Sequence, residues 1–285
     1  MPTNLGALTA TINGFPLNVQ NDDGTRVSLE SFIGWGSAPA IVQVVNKGQA
    51  HGAWVGKSFN GPRSFTLAGK VHGTSIESLA AKVDELIGAF AAHDVPLIVN
   101  EGAVTRQVMV RREGDVLTEW ATSKIARWSA QVLAPDPRKT GTPLVYTTGL
   151  PGSTGGVTFP FAFPFAFSET ATSGRVTLTN PGTAPGRVRL RITAGVGGLT
   201  SPSVTHLASG AVLQFATSLT IPNGNWVDVD MEAQTVMENG QPGATRNGWV
   251  TGRGWSFFEP GVNEWAFNAV TGLGTLQVTA IPAWW

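Results

Sequence analysis

The residue types that carry most chemistry are sparse in this chain, and they are scattered. His51, His72, His93 and His206 each stand alone, with no second histidine and no carboxylate cluster at metal-ligand spacing. No Gly-x-Ser-x-Gly elbow, phosphate loop, dinucleotide fingerprint or His-Glu-x-x-His pair occurs. Cysteine is absent, which removes thiol nucleophiles, thiolate ligands and disulfides together. Asp228, Asp230 and Glu232 alternate, so their carboxylates share one strand face. Such a row could form half of a calcium site, but it lacks the clustered loop ligands that calcium takes. A solvated sheet face explains it better. The expectation is a protein without catalytic residues, metal ligands or a cofactor.

Aromatic residues are the other candidates. Six of the ten tryptophans lie after residue 220. Trp249 and Trp255 flank the glycine-rich Thr251-Gly-Arg-Gly254 and are candidates for an exposed ligand platform. Trp265 alternates with Phe267 and belongs to a core. Trp284 and Trp285 end the sequence. Adjacent residues on a strand face opposite ways, so at least one should meet a neighbouring surface, and the pair is a candidate protein–protein interface.

The elements that would position these residues are organised around Val157-Thr-Phe-Pro-Phe-Ala-Phe-Pro-Phe-Ala-Phe167. Every large ring falls on an odd position, which puts all of them on one side of an extended strand. Pro160 and Pro164 exclude a helix and cannot donate to a ladder, so the segment reads as a strand at a sheet edge or one whose pairing breaks there. Just upstream, Gly149-Leu-Pro-Gly-Ser-Thr-Gly-Gly156 is flexible and turn-forming. All the lysines (Lys47, Lys57, Lys70, Lys82, Lys124 and Lys139) precede it. Two signals thus agree on a first domain over 1–140, a linker over 141–156 and a second domain over 157–285.

Lysine plus arginine is 19 and aspartate plus glutamate is 19, so the formal net charge is zero. That removes the electrostatic basis for a nucleic-acid or anionic-membrane binder. No stretch is apolar enough to span a bilayer, and the N-terminus lacks a signal-peptide pattern. The expectation is a soluble protein made in the cytoplasm, with no membrane insertion.

In the first half, Asn21-Asp-Asp-Gly24 reads as a hairpin turn and Ile41–Val45 as a short β-branched strand. Ser64 to Val71 alternates, with Phe65, Leu67 and Val71 on one face and Gly69 a possible bulge. The one convincing helix runs from about Ser75 to Phe90, with an apolar stripe and a capping box in Thr74-Ser-Ile-Glu77. Val95–Val99, Val104–Arg111 and Ile125–Leu133 read as strands, and Ala134-Pro-Asp-Pro-Arg138 closes the unit. One helix among strands without βαβ alternation predicts an α+β domain with antiparallel sheets.

In the second half, strands are expected at Arg175–Thr179, Arg187–Ile192, Val212–Thr220, Trp226–Val236, Trp265–Val270 and Leu276–Ile281. Val188, Leu190 and Ile192 should face inward while Arg187, Arg189 and Arg191 face out. Turns at Pro222-Asn-Gly224, Asn239-Gly240 and Pro260-Gly261 separate the strands. Short strands at this spacing indicate a β-sandwich or jelly roll, so the fold class is mainly β overall.

These residues carry a resemblance. Leu133-Ala-Pro-Asp-Pro-Arg138, and Arg63 to Ser75 leading into the helix, resemble the N-terminal domain of distal tail proteins of long-tailed bacteriophages, a minor tail protein family of siphophages. Asn180-Pro-Gly-Thr-Ala-Pro185, Val227–Asp230, Glu259-Pro-Gly-Val-Asn263 and Ile281-Pro-Ala-Trp-Trp285 resemble their C-terminal domain. The resemblance implies a galectin-like second domain and a structural protein of the virion tail tip or baseplate. It also implies a cyclic ring, a homohexamer, that lets DNA pass through its lumen. Its partners would be further copies of itself, the tail tube protein and a tail-tip hub or receptor-binding protein, with no sequence-specific nucleic acid. The alternative is a carbohydrate-binding adhesin module for host attachment, built on an exposed tryptophan stripe. A hydrolase would need an acid/base pair in a cleft, and the sequence offers none.

Overall fold

The computed structural model describes residues 8–154, 170–241 and 245–285. The phenylalanine-rich run 157–167 lies outside the described residues. The chain divides into two compact units, Met1–Gly141 with Trp285, and Thr142–Trp284.

The first unit contains β1 (Thr9–Ile12), β2 (Phe15–Leu17), β3 (Val19–Gln20), β4 (Arg26–Ile33), β5 (Ala40–Asn46), β6 (Ala53–Asn60), β7 (Arg63–His72), α1 (Ile76–Ala89), β8 (Val95–Asn100), β9 (Thr105–Thr122), β10 (Ile125–Ala134) and β11 (Lys139–Thr140). All pairings described here are antiparallel. The early part of β9 pairs with β8, which continues to β1 and β2. Its late part pairs with β10, followed by β7, β4 and β3. One long strand therefore belongs to two sheets. It changes partners between Val110 and Arg111, and Gly114 takes φ +75° further on, where the register between β9 and β10 shifts. The sequence reading stopped this strand at Arg111. Beyond that point the strand is largely exposed on both faces, so no apolar alternation announces it.

Alternation does hold on β7, where Phe65, Leu67 and Val71 are fully buried. The expected bulge at Gly69 lies instead on the neighbouring strand, where β4 slips register between Leu29 and Ser31. Gly69 answers a different need: a Cβ there would stand 1.9 Å from the Ser28 carbonyl oxygen. Helix α1 lays Leu79, Val83 and Leu86 onto the same core, beside Phe90 and Trp128. Its cap is one residue later than expected. Ser75 is extended, its hydroxyl accepts from the Ser78 N–H at 3.2 Å, and the Ser78 hydroxyl accepts from the Ser75 N–H at 2.9 Å. A second serine closes the box in place of Glu77, because the chain enters the helix after Ser75. The Asn21 turn forms as expected, with the Gly24 N–H donating to the Asn21 carbonyl.

The second unit contains β12 (Leu144–Gly149), β13 (Gly152–Thr154), β14 (Thr170–Thr172), β15 (Arg175–Asn180), β16 (Ala184–Thr200), β17 (Ser203–His206), β18 (Ala211–Phe215), β19 (Thr220–Ile221), β20 (Trp226–Asp230), β21 (Thr235–Glu238), β22 (Val250–Arg253), β23 (Gly261–Asn268) and β24 (Thr271–Trp284). One sheet runs β21–β20–β16–β24–β12 and the other β15–β23–β17–β18–β22. Val188, Leu190 and Ile192 of the first sheet meet Phe215, Trp265 and Phe267 of the second in one core, which makes the unit a β-sandwich.

Three expectations are corrected here. The stretch 141–156, expected as a linker, carries β12, which pairs with β24 through six residues. Leu144-Val-Tyr-Thr is β-prone, and the glycine-rich composition begins only at Gly149. Trp226–Val236 is two strands, because the Asp230 carboxylate accepts the N–H groups of Glu232 and Ala233 and folds the chain back. Val212–Thr220 likewise breaks after Phe215.

Residues 142–285 own a complete core and should fold alone. Phe267 is fully buried in it, so Phe267→Ala should destabilise that fragment by about 3–5 kcal/mol. Urea titration of the two fragments measures the difference, and a loss below 1 kcal/mol would show that Phe267 is not part of the core.

Candidate assembly surface

The sites singled out for chemistry do not converge. His51 and His93 are exposed and His72 is half-buried. His206 is buried, its Nδ1 2.7 Å from the Ser209 hydroxyl and its Nε2 3.1 Å from Asn263 Oδ1, which in turn accepts the Glu259 N–H. Burial holds its pKa below the ordinary value, so it serves as a neutral brace in the turn before β23. Asp228, Asp230 and Glu232 pair with Arg191 (2.6 Å), Arg189 (3.0 Å) and Arg187 (2.6 Å). The carboxylates form a partly exposed ion-pair row, and no group of three or more metal-capable side chains occurs among the described residues. A cleft of about 890 Å³ beside Val196, Val270 and Leu273 has no titratable side chain in its lining.

Trp249 and Trp255 are half-buried and packed against the sandwich core, and the Arg246 guanidinium lies 5.5 Å from the Trp249 ring centre. Trp265 is fully buried, as its alternation with Phe267 required. Trp284 is half-buried and Trp285 is 40% exposed, so the last indole keeps surface for a contact.

What the structure exposes most openly is an arm. Strands β5 and β6 form a ribbon that pairs only with itself among the described residues. Ile41 faces Phe59 across the ladder, Val44 faces Val55, and Val45 faces Trp54. β-Branched and aromatic pairs suit a strand, but here every one of them is open to solvent, with Trp54 at 69% and Val45 at 65%. A two-stranded ribbon is marginal in water, and an apolar patch of this kind marks an interaction surface. The sequence reading found β5 but not its exposure. Its unbroken apolar run looks like that of a strand buried on both faces, and nothing local says which molecule buries it.

The same unit presents open sheet edges. The late part of β9 pairs only with β10 among the described strands, and Leu117 and Trp120 stand exposed on it. At the other side of that sheet, β3 is two residues long and exposed. Unpaired edges are templates for another strand.

The root of the arm is built differently from its tip. Arg63 is fully buried, its Nη1 reaching the carbonyls of Gly34 (3.4 Å), Trp35 (3.2 Å) and Gly36 (2.9 Å), and its Nε that of Pro137 (3.2 Å). Lys139, 5% exposed, donates to the Trp35 and Gly36 carbonyls at 3.0 and 3.1 Å and lies 5.2 Å from the Trp35 ring centre. The indole N–H of Trp35 donates to Glu101 at 2.6 Å, and Arg106 pairs with the same carboxylate. Residues 34–36 lead into the arm and Arg63 receives the chain from it. Arg63 therefore ties the two legs together, and Lys139 ties the first of them to β11.

Since the arm tip contributes nothing to either core, Val45→Ser with Trp54→Ser should leave the unfolding free energy within about 0.5 kcal/mol of the parent. A loss of several kcal/mol in a urea titration would show that the arm is part of the folded body.

The fold is shared with solved phage proteins. The Dit protein of phage SPP1, described as a paradigm of the hub adsorption apparatus in phages infecting Gram-positive bacteria, superposes with a TM-score of 0.67 at 15% identity, over 96% of this chain and 98% of that one. A chain of the phage P2 baseplate, in its activated conformation with Ca, gives 0.52 at 8% identity over 97% and 98%. No protein-family model matches the sequence and no curated protein matches it. Both units, in their order along the chain, thus follow the architecture of a phage hub protein.

Proposed function

We propose that this chain is a structural, non-catalytic component of the tail tip of a long-tailed bacteriophage. Its first unit assembles with further copies into a closed ring between the tail tube and the host-recognition proteins, leaving a lumen for DNA. The observation that carries the reading is the exposed apolar arm, because it sits in the unit that also offers unpaired edges of β9 and β3. An arm on one side and edges elsewhere make a head-to-tail contact, and a head-to-tail contact that closes gives a ring. Fold likeness to the SPP1 hub protein over nearly the whole chain supports the setting, and sixfold closure follows from the family resemblance. The sandwich then serves as a docking module, with Trp284 and Trp285 as candidate anchors for a neighbouring tail protein.

The half-buried positions of Trp249 and Trp255 give the adhesin reading no exposed platform. Full-length protein and a variant with residues 38–61 replaced by a short glycine–serine turn separate the outcomes. Light scattering and negative-stain images should show rings for the former and monomers with native circular dichroism for the latter. Assembly that survives removal of the arm would refute arm-mediated closure.

A further inference from the structure

We propose that Arg63 is the positioning residue for the arm, holding its two legs together without touching a partner, and that Lys139 beside it modulates that closure, the root closing most tightly when Lys139 is uncharged. The hydrogen-bond acceptors of the two cations are all neutral carbonyls: those of Gly34, Trp35, Gly36 and Pro137. The Nη2 of Arg63 is buried without a hydrogen-bond partner. The charged groups that act on Lys139 are Arg63 on β7, Arg106 on β9 and Glu101 in the turn before β9. Glu101 is already engaged by Arg106 and by the Trp35 indole. Just upstream, Asp136 and Arg138 pair with each other at 2.8 Å. The root thus gathers two buried cations with no carboxylate of their own.

Such burial disfavours the charged form of a lysine, and two neighbouring cations add to it. Burial first, then Arg63 and Arg106, bring the Lys139 ammonium down from 10.5 to about 8, with Glu101 offsetting part of the effect. In an opened root Lys139 would stand in water at its ordinary value. The open form therefore binds the proton more tightly than the closed form. Rising pH removes that proton and shifts the equilibrium toward closure, whereas a proton at neutral pH favours opening. Across the window from about 8 to 10.5 the shift has a ceiling on the order of 300-fold, reached only if opening restores the full ordinary value. Closure survives loss of the ammonium because Arg63 alone still bonds the carbonyls of Trp35 and Gly36. The arm pairs only with itself, so its direction is set at this root and nowhere else along its length.

The inference rests on the assembly reading only for its consequence, and the test can be made on single molecules. The chain has no cysteine, so Gln49→Cys in the arm and Asp84→Cys on exposed helix α1 give clean sites for a fluorophore pair. Single-molecule energy transfer at sub-nanomolar concentration reads the arm where no ring forms. In the full-length protein the narrow, closed population should grow severalfold between pH 7 and pH 9.5, with most of the rise above about pH 8. Lys139→Met should hold the closed population high at both pH values, and Lys139→Arg should hold it low at both. A parent distribution unchanged across that range, or an opened root in Lys139→Met, would overturn the proposal. The expected pattern in a protein that never forms rings would keep this inference and sink the assembly reading.

Discussion

Arg63 has no exposed surface, and the first unit is wrapped around the carbonyls it gathers. The guanidinium is the one side chain that offers five donors in a fixed plane, so it can bond carbonyls from two separate segments at once. It joins the end of β4, the start of β7 and the turn before β11. With the Trp35 ring packed at a tilt against Phe32 and Phe65, the network joins the hydrophobic core to the base of the arm. A buried cation satisfied only by carbonyls is costly, since the desolvation loss is not met by an opposite charge. That cost is placed at the base of the exposed ribbon.

The second unit handles charge the opposite way. Arg187, Arg189 and Arg191 stay on the outer face and each meets a carboxylate on or just beyond the neighbouring strand. Exposed pairs of this kind contribute little to stability. They keep a broad sheet face soluble and fix which residues point outward, while Trp265, Phe267 and Phe215 supply the burial that holds the sandwich. Trp226 joins the row through its N–H to Asp228 and through the Arg191 guanidinium over its ring, so this indole is part of the surface network.

The two units therefore divide the physical work. In the first, apolar surface is left outside on an arm and on strand edges that have no partner among the described residues. In the second, nearly every large ring described is inside or half-inside. This asymmetry is what the proposed self-assembly through the first unit and docking through the sandwich would draw on. Among the described residues His206 is braced by Ser209 and Asn263, and Asp228, Asp230 and Glu232 are paired with arginines.

The sequence by itself determined those features whose cause is local. Period-two alternation located β7, β10, β15 and the inward residues of β16, because a strand buried on one face has no other way to write itself. The apolar stripe located α1 to within a residue at each end, and the break in composition marked two units. What the sequence left open depends on distant partners. Whether Thr74 or Ser75 caps the helix turns on where the chain arrives, and both are hydroxyl residues. The reach of β9 past Arg111 depends on β10 lying beside it, since both its faces meet water. The fate of Leu144–Gly149 is decided by β24, more than a hundred residues later. An apolar run such as Ile41–Val45 reads alike whether its own chain or a second copy covers it, and only the tertiary structure leaves it bare. Arg63 and Lys139 are unremarkable letters until the fold brings residues 34–36, 63 and 139 together and takes the water away.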